Sequence, residues 1–340
     1  MPNCGSQCWL CDLPIRFDTY KGCSHACRYC FANAKRDLTD IKPFEGVKAL
    51  ESFINGGRNI ETRWCDWKIP IHWGGMSDPF QPCEAIHGRS YEALKLFKKT
   101  QYPFVVSTKG KLIADEKYLN IIKDCNCVVQ ISAVCSKYDV IEKGCPTFRE
   151  RMEIVNKLSK AGVKRIIIRV QPYMNEVFKD IYNNLEVYKE MGAYGVIIEG
   201  MKFKKKKKGL IKVAGDYTYP YDLILNDFMR LKKRAHELGL KIYAGENRIR
   251  KYGDSLTCCG VDGLEGFTPN HFNLNHLLNE DDVKPTENMK KPKTGGCFRL
   301  MYQTTIEGRI ATESSFEEML SKVYREKKKT VEEALGVRKV

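Results

Sequence analysis

Short apolar runs alternate with amphipathic helical stretches across most of the chain, and this rhythm confines it to a parallel α/β architecture. Ile15–Tyr20, Lys68–Trp73, Pro103–Ser107, Cys127–Ala133, Lys164–Val170, Tyr194–Ile198 and Leu240–Ala244 read as strands. Helical patterns fall between them at Tyr91–Lys99, Glu116–Lys123, Thr147–Ala161, Val177–Met191 and Tyr221–Leu238. The last carries Ile224, Phe228, Leu231, Ala235 and Leu238 on one stripe. Gly162, Gly192 and Gly239 stand where helix C-caps belong, just ahead of the next strand. Strand–helix units of roughly 30 residues imply parallel strands joined by right-handed crossovers. The expected fold is therefore α/β: a partial (β/α)6-type or complete barrel of parallel strands. Residues 13–246 form the barrel on this reading. Residues 1–12 are a cysteine-rich N-terminal extension, and 247–340 a loop-rich C-terminal extension ending in a helix.

In such barrels the working residues sit on loops after the strand C-termini. The segment Gly22–Phe31 follows the first strand directly and contains Cys23, Cys27 and Cys30 in a CxxxCxxC spacing, with Tyr29 before the last cysteine. The chain has 15 cysteines, six of them within the first 30 residues. No apolar run approaches the ~20 residues of a membrane span, and the N-terminus lacks the basic flank and apolar stretch of a secretion signal. A cytoplasmic location without membrane association is the expectation. Thiols stay reduced in that compartment, so clustered cysteines there point to metal or redox chemistry.

Three thiolates on one short loop suit three irons of a cubane, leaving the fourth iron open for a non-protein ligand. The competing reading is a zinc ion held by the three cysteines and His25. That requires ligation from alternate loop positions, whereas zinc ribbons more often use two separated CxxC pairs.

The spacing, the aromatic residue and the preceding strand resemble the radical S-adenosylmethionine (SAM) superfamily. Ile71–Met76 is similar to the superfamily's Gly-Gly-Glu region, with Gly74 and Gly75 in place and Met76 where the acid stands. The order of motifs resembles the spore photoproduct lyase-like branch: Gly22–Phe31, then Ser77-Asp78-Pro79-Phe80-Gln81-Pro82, then Ser107-Thr108-Lys109, then Ser132. The resemblance spans about residues 13–200. It implies that one [4Fe–4S] cluster on Cys23, Cys27 and Cys30 cleaves SAM reductively to a 5′-deoxyadenosyl radical. By the same resemblance Tyr29, Gly74, Gly75, Lys109 and Ser132 bind the cofactor, with Lys109 near the SAM carboxylate. A low-potential electron donor such as flavodoxin or ferredoxin is also implied. Arg169 and Glu199 end successive strands; Arg169 is read as a ligand contact, and the two could equally pair with each other.

Cys4, Cys8 and Cys11 repeat the CxxxCxxC spacing, without a preceding strand or the aromatic residue. Together with Cys258, Cys259 or Cys297 they form a candidate second site, for an auxiliary [4Fe–4S] cluster or zinc. Photoproduct lyases return hydrogen to the product radical from a cysteine. No cysteine here matches that motif, and Cys83 and Cys135 are the candidates.

The net charge of +15, from 57 basic and 42 acidic residues, suits a nucleic-acid partner. Six lysines between Lys202 and Lys208 account for part of it and read by default as a solvated loop. Three functional readings follow. The first is a radical SAM enzyme acting on a nucleic-acid base in DNA repair or modification, with Trp64, Trp67, Trp73 and Phe80 as stacking candidates. The second is a radical SAM enzyme modifying a peptide, protein or small metabolite. The third is a cysteine-rich zinc protein that binds nucleic acid.

Overall fold

The computed structural model describes residues 2–4, 11–34, 37–45, 47–59, 62, 68–213, 216–268 and 270. Cys8, Trp64, Cys65, Trp67, Cys297 and the helix expected near the C-terminus lie outside these residues. Strand β1 (Asn3–Cys4) is followed by β2 (Ile15–Phe17), β3 (Tyr20–Lys21) and β4 (Lys42–Pro43). Helix α1 (Lys48–Ile54) then leads to β5 (Ile71–Trp73), α2 (Glu84–His87) and α3 (Arg89–Thr100). The repeating units continue with β6 (Phe104–Thr108), α4 (Glu116–Ile122), β7 (Cys127–Ser132), α5 (Phe148–Lys160), β8 (Ile166–Tyr173), α6 (Phe178–Glu190) and β9 (Gly195–Gly200). A hairpin of β10 (Ile211–Val213) and β11 (Asp216–Thr218) precedes α7 (Tyr221–Glu237) and β12 (Lys241–Ala244).

The main sheet runs β1-β2-β5-β6-β7-β8-β9-β12. Every neighbouring pair from β2 onward is parallel, and β1 joins the edge antiparallel, with Cys4 opposite Ile15. Among the described residues β1 and β12 remain the two edges, so the sheet is a partial barrel of seven parallel strands. The expected strand Ile15–Tyr20 is in fact two pieces. Asp18 breaks it by accepting the backbone N–H groups of Met76 and Ser77 (3.0 and 3.1 Å), and Tyr20–Lys21 pairs with β4 instead.

Alternation along the strands sorts two environments. Val106, Val129, Ile168, Val196, Ile198 and Ile242 belong to the outer core, together with Leu94 and Phe97 of α3, Val155 and Leu158 of α5, and Leu185 of α6. Burying each such side chain contributes about 1.5–3 kcal/mol. Their neighbours Val105, Val128, Ile167, Ile197 and Tyr243 form a second cluster with Leu13, Cys259 and Val261. Residues 258–261 therefore plug the barrel interior: the Arg165 guanidinium donates to the Gly260 carbonyl (3.1 Å), and Gln130 Nε2 donates to the Cys259 carbonyl (3.1 Å).

Helix α5 starts where its sequence says it should. Thr147 caps it, accepting from Glu150 N–H (3.3 Å) while the Glu150 carboxylate accepts from Thr147 N–H (2.6 Å).

Candidate functional site

The cysteine loop stands at the C-terminal end of β2 and is held from beneath by the segment Ser77–Pro82. Ser24 N–H donates to Gln81 Oε1 (2.9 Å), and Gln81 Nε2 donates to the Gly22 carbonyl (3.2 Å). Asp78 ties a third point. Its Oδ2 lies 3.1 Å from His25 Nε2 and accepts from Lys109 N–H (2.6 Å), while Oδ1 accepts from Thr108 Oγ1 (2.6 Å) and Phe80 N–H (2.8 Å). Burial opposes the Asp78 charge, but His25 and these donors outweigh it and hold the carboxyl at about 2. Burial likewise opposes charge on His25, yet Asp78 raises its pKa above the usual value. The Asp-Pro-Phe-Gln-Pro run is thus the clamp that fixes the cysteine loop, a role the motif alone did not reveal.

Cys23, Cys27 and Cys30 are all free thiols. The loop between them is curled: Ala26 adopts φ +47°, a left-handed conformation costing an L-residue about 1–2 kcal/mol. Such a turn is kept only where the surroundings impose it. The His25 ring has both nitrogens engaged, Nε2 with Asp78 and Nδ1 with the Gly144 carbonyl (3.0 Å), so it is not available to a zinc ion. Among the described residues no three His, Cys, Asp or Glu side chains converge on one ion position. Three thiols on one curled loop are the donor set that three irons of a cubane require.

Around the loop lies a buried charged group that sequence reasoning missed. Cys145 Sγ is 3.6 Å from Cys27 Sγ, and Gly144 leaves no room for a side chain, since a Cβ there would lie 2.5 Å from the Ser24 carbonyl. The Cys145 thiol, with help from Lys109, brings Cys27 down to about 6 despite burial. Glu142 pairs with Arg151 (2.6 Å) and Lys109 (4.0 Å) and accepts from the Tyr29 hydroxyl. Arg151 also donates to the Ser132 carbonyl (2.8 Å), linking the end of β7 to this group. The Lys109 ammonium lies 5.7 Å from the centre of the Tyr29 ring. The signal for Glu142 and Arg151 was absent from the sequence, because a buried ion pair assembled from a loop and a helix has no local pattern.

Inward-facing residues complete the mouth. His72 Nε2 is 3.0 Å from Ser107 Oγ, which donates to Gln130 Oε1 (2.8 Å) and accepts from Arg169 Nη1 (3.2 Å). Arg169 Nη2 also lies 4.0 Å from Glu199, so the alternative of mutual pairing is realised together with a contact to Ser107. Burial, reinforced by Arg16 and Arg169, pushes the His72 pKa well below its usual value, leaving the ring neutral. Gly74 has φ +86°, and a Cβ there would collide with the Ser107 carbonyl oxygen. A Cβ on Gly75 would lie 2.9 Å from Arg16 Nη1. Gly74 is therefore required by the close approach of the Ser107 backbone, whereas at Gly75 the Arg16 side chain could shift.

Other expected residues fall elsewhere. Trp73 and Phe80 are fully buried in an aromatic stack with Phe97 and Phe104 (Trp73–Phe80 5.6 Å, Phe97–Phe104 4.0 Å), so they are core and not stacking platforms at the mouth. Cys135 is buried in the outer core, and Cys83 precedes α2, half-buried, with burial pushing its thiol up to about 11. Cys11 joins Cys258 and Cys259 at the plug. The latter two sulfurs are 3.5 Å apart, and the Cys11 carbonyl accepts from Asn270 Nδ2 (2.8 Å). Cys4 contributes backbone to β1.

No family model matches the chain. Uncharacterized proteins of Mycobacterium tuberculosis and Mycobacterium bovis are each 24% identical to it over 212 residues, or 58% of this chain. The match spans 62% of their length, a little under two thirds. Among solved structures, a spore photoproduct lyase variant with the dinucleoside spore photoproduct superposes with a TM-score of 0.53 at 15% identity, covering 68% of this chain and 77% of that one. A second lyase complex with the same photoproduct gives 0.52 at 16%, covering 68% and 77%. This is the spore photoproduct lyase fold. The resemblance read from the order of motifs is borne out at the level of architecture. No described helix is long and apolar enough to cross a membrane.

Proposed function

We propose that the chain is a radical SAM enzyme whose substrate is a nucleic-acid base. The observation that carries this reading is the clamped loop: three free cysteines, curled at Ala26, tied through Ser24, His25 and Gly22 to Asp78 and Gln81 on the next βα loop. A [4Fe–4S] cluster on Cys23, Cys27 and Cys30 would supply the low-potential electron that breaks a C–S bond of SAM and yields the 5′-deoxyadenosyl radical. Lys109, at the end of β6 with Glu142 and Tyr29 beside it, offers its ammonium to the SAM carboxylate. The backbone at Gly74 and Gly75, at the end of β5, receives the amino group. Ser132, at the end of β7, and Arg169, its ladder partner within β8, orient the remaining polar groups. The neutral His72, hydrogen-bonded to Ser107, keeps this layer uncharged beneath Arg169.

The net charge of +15 and the photoproduct bound by the solved lyases support a nucleic-acid base over a peptide or small metabolite. A base would have to leave its stack to reach the mouth. The cysteines expected to return hydrogen to product, Cys83 and Cys135, sit ahead of α2 and in the outer core, so neither is assigned that role at the mouth. Residues 1–12 and 247–340 are assigned as extensions of the barrel.

The test is anaerobic reconstitution followed by iron and sulfide counts, then assay of 5′-deoxyadenosine formed from SAM and a low-potential reductant. About four of each per chain and 5′-deoxyadenosine formation are expected. A second set of four would add a cluster at Cys4, Cys8 and Cys11 with Cys258, Cys259 or Cys297. Bound zinc without 5′-deoxyadenosine would end the radical reading. Deuterium transfer from labelled DNA, RNA or peptide into 5′-deoxyadenosine then names the substrate.

A further inference from the structure

The loop between β7 and α5 also grips the cysteine loop. Arg28 N–H donates to the Ile141 carbonyl (3.0 Å), the Gly144 carbonyl meets His25 Nδ1 (3.0 Å), and the Tyr29 hydroxyl donates to Glu142. This second support is itself firmly built. The N–H groups of Ile141 and Glu142 both donate to the Tyr138 carbonyl (2.9 and 3.0 Å), and Cys145 N–H donates to the Glu142 carbonyl (2.8 Å). From α5, buried Arg151 holds Glu142 (2.6 Å) and Asp139 (3.3 Å). The Tyr138 hydroxyl donates to the Pro172 carbonyl (2.7 Å), which fastens the loop to β8.

What this loop delivers is Cys145. Its Sγ lies 3.6 Å from Cys27 Sγ and 3.9 Å from the His25 carbonyl oxygen. The approach needs Gly144, because a Cβ there would lie 2.5 and 2.7 Å from the Ser24 and His25 carbonyl oxygens. Cys27 is buried and Cys145 half-buried, so the contact is sheltered from water.

Two sulfurs this close are ligands of one metal ion, a disulfide, or a donor and its acceptor. Both thiols are free. A cubane takes one cysteine on each iron, and Cys23, Cys27 and Cys30 already supply three. A sulfur touching Cys27 is therefore a neighbour of that ligand. A cysteine bound to iron is a thiolate, with lone pairs and no hydrogen, so the hydrogen in this contact belongs to Cys145. The His25 carbonyl competes for it from farther away, and a charged acceptor makes the stronger bond.

We infer that Cys145 is a positioning residue for electron uptake: its S–H donates to the Cys27 thiolate and raises the reduction potential of the cluster. The inference rests on the cluster reading of Cys23, Cys27 and Cys30. Reduction adds one electron, and part of that charge spreads onto the ligand sulfurs. A hydrogen bond to one of them stabilises the reduced form more than the oxidised form. Without the donor the added charge meets no such partner, and the potential falls.

The test uses the full-length, anaerobically reconstituted protein and the variants Cys145→Ala and Cys145→Ser. Each is titrated with titanium(III) citrate while the electron paramagnetic resonance signal of the reduced cluster is followed. The alanine variant should carry the wild-type iron and sulfide content. Its one-electron reduction should be about tenfold less favourable, a midpoint ~59 mV more negative. Serine retains an O–H donor at shorter reach and should recover part of that shift. In resonance Raman spectra the iron–cysteine stretching band should move to higher frequency in the alanine variant.

Equal midpoints in all three proteins at full iron loading would overturn the inference and leave the cluster reading standing. A serine variant with a midpoint as low as that of alanine would assign the effect to packing, which also overturns it. Loss of iron from both variants would make Cys145 a structural support or a ligand and end the donor role. A Cys27–Cys145 disulfide found by mass analysis of the loaded wild type would do the same. Failure of the wild type to take up iron and sulfide would remove the cluster reading and the inference together.

Discussion

The mouth and the plug of this barrel are lined by the same strands, yet they differ in kind. At the mouth Ser107, Gln130, Arg169 and Glu199 face inward and join a hydrogen-bonded layer. Two residues earlier on each strand, Val105, Val128, Ile167 and Ile197 face the same interior and form a dry cluster with Leu13 and Val261. Because the strand period is two, a single inward-facing row passes from apolar to polar along its length. Dry packing anchors the lower layer, and only the upper one carries groups able to meet a polar ligand. The contrast locates chemistry at one end and stability at the other.

Substituting Asp78 by Ala should do the greatest damage, because it strands buried His25 and frees the cysteine loop. Breaking such a buried pair costs about 3–5 kcal/mol, read as a lower denaturant midpoint, and iron retention should fall with it. Full stability and full iron loading in that variant would refute the clamp. At the other end, Ile167→Ala should cost about 2–4 kcal/mol as a cavity while iron loading per folded chain stays at the wild-type value. Loss of iron there would erase the division between the two ends.

A pair of glycine variants sharpens the comparison. Gly74→Ala meets the Ser107 backbone at φ +86° and should cost about 2–3 kcal/mol, with loss of SAM binding in equilibrium dialysis. Gly260→Ala has φ +71° but meets Ile167 side-chain carbons at 2.8 and 2.9 Å, which can shift, so about 1–2 kcal/mol is expected with SAM binding retained. Arg169→Gln should have the smallest effect on stability, under about 1 kcal/mol, because its partners are partly exposed and the ion pair is long. Its KM for SAM should nevertheless rise. An unchanged KM would make Arg169 a structural bridge to Glu199.

How much of this was legible in the chain varies with range. Seven parallel strands and five of the helices lie where periodicity placed them, since a two-residue or 3.6-residue pattern is a local property. The Thr147 cap was visible as a boundary for the same reason. The break in the first expected strand was not, because it depends on Asp18 accepting amides from residues 76 and 77. Trp73 and Phe80 looked available for stacking, and the structure buries them, because an aromatic residue near a strand end can face the helices or the mouth. Cys145, Glu142 and Arg151 gave no sequence signal at all.

The spacing of Cys23, Cys27 and Cys30 after a strand determined, before any coordinates, that a three-thiol loop would crown a parallel barrel. Ligand spacing within eight residues and strand periodicity are both encoded locally. Only the tertiary structure decided that Asp78 and Gln81 clamp that loop, that His25 is already spoken for, and that Cys11 meets Cys258 and Cys259 at the plug. Those contacts join residues tens to hundreds of positions apart, and their existence depends on which side chains the closing of the sheet brings face to face.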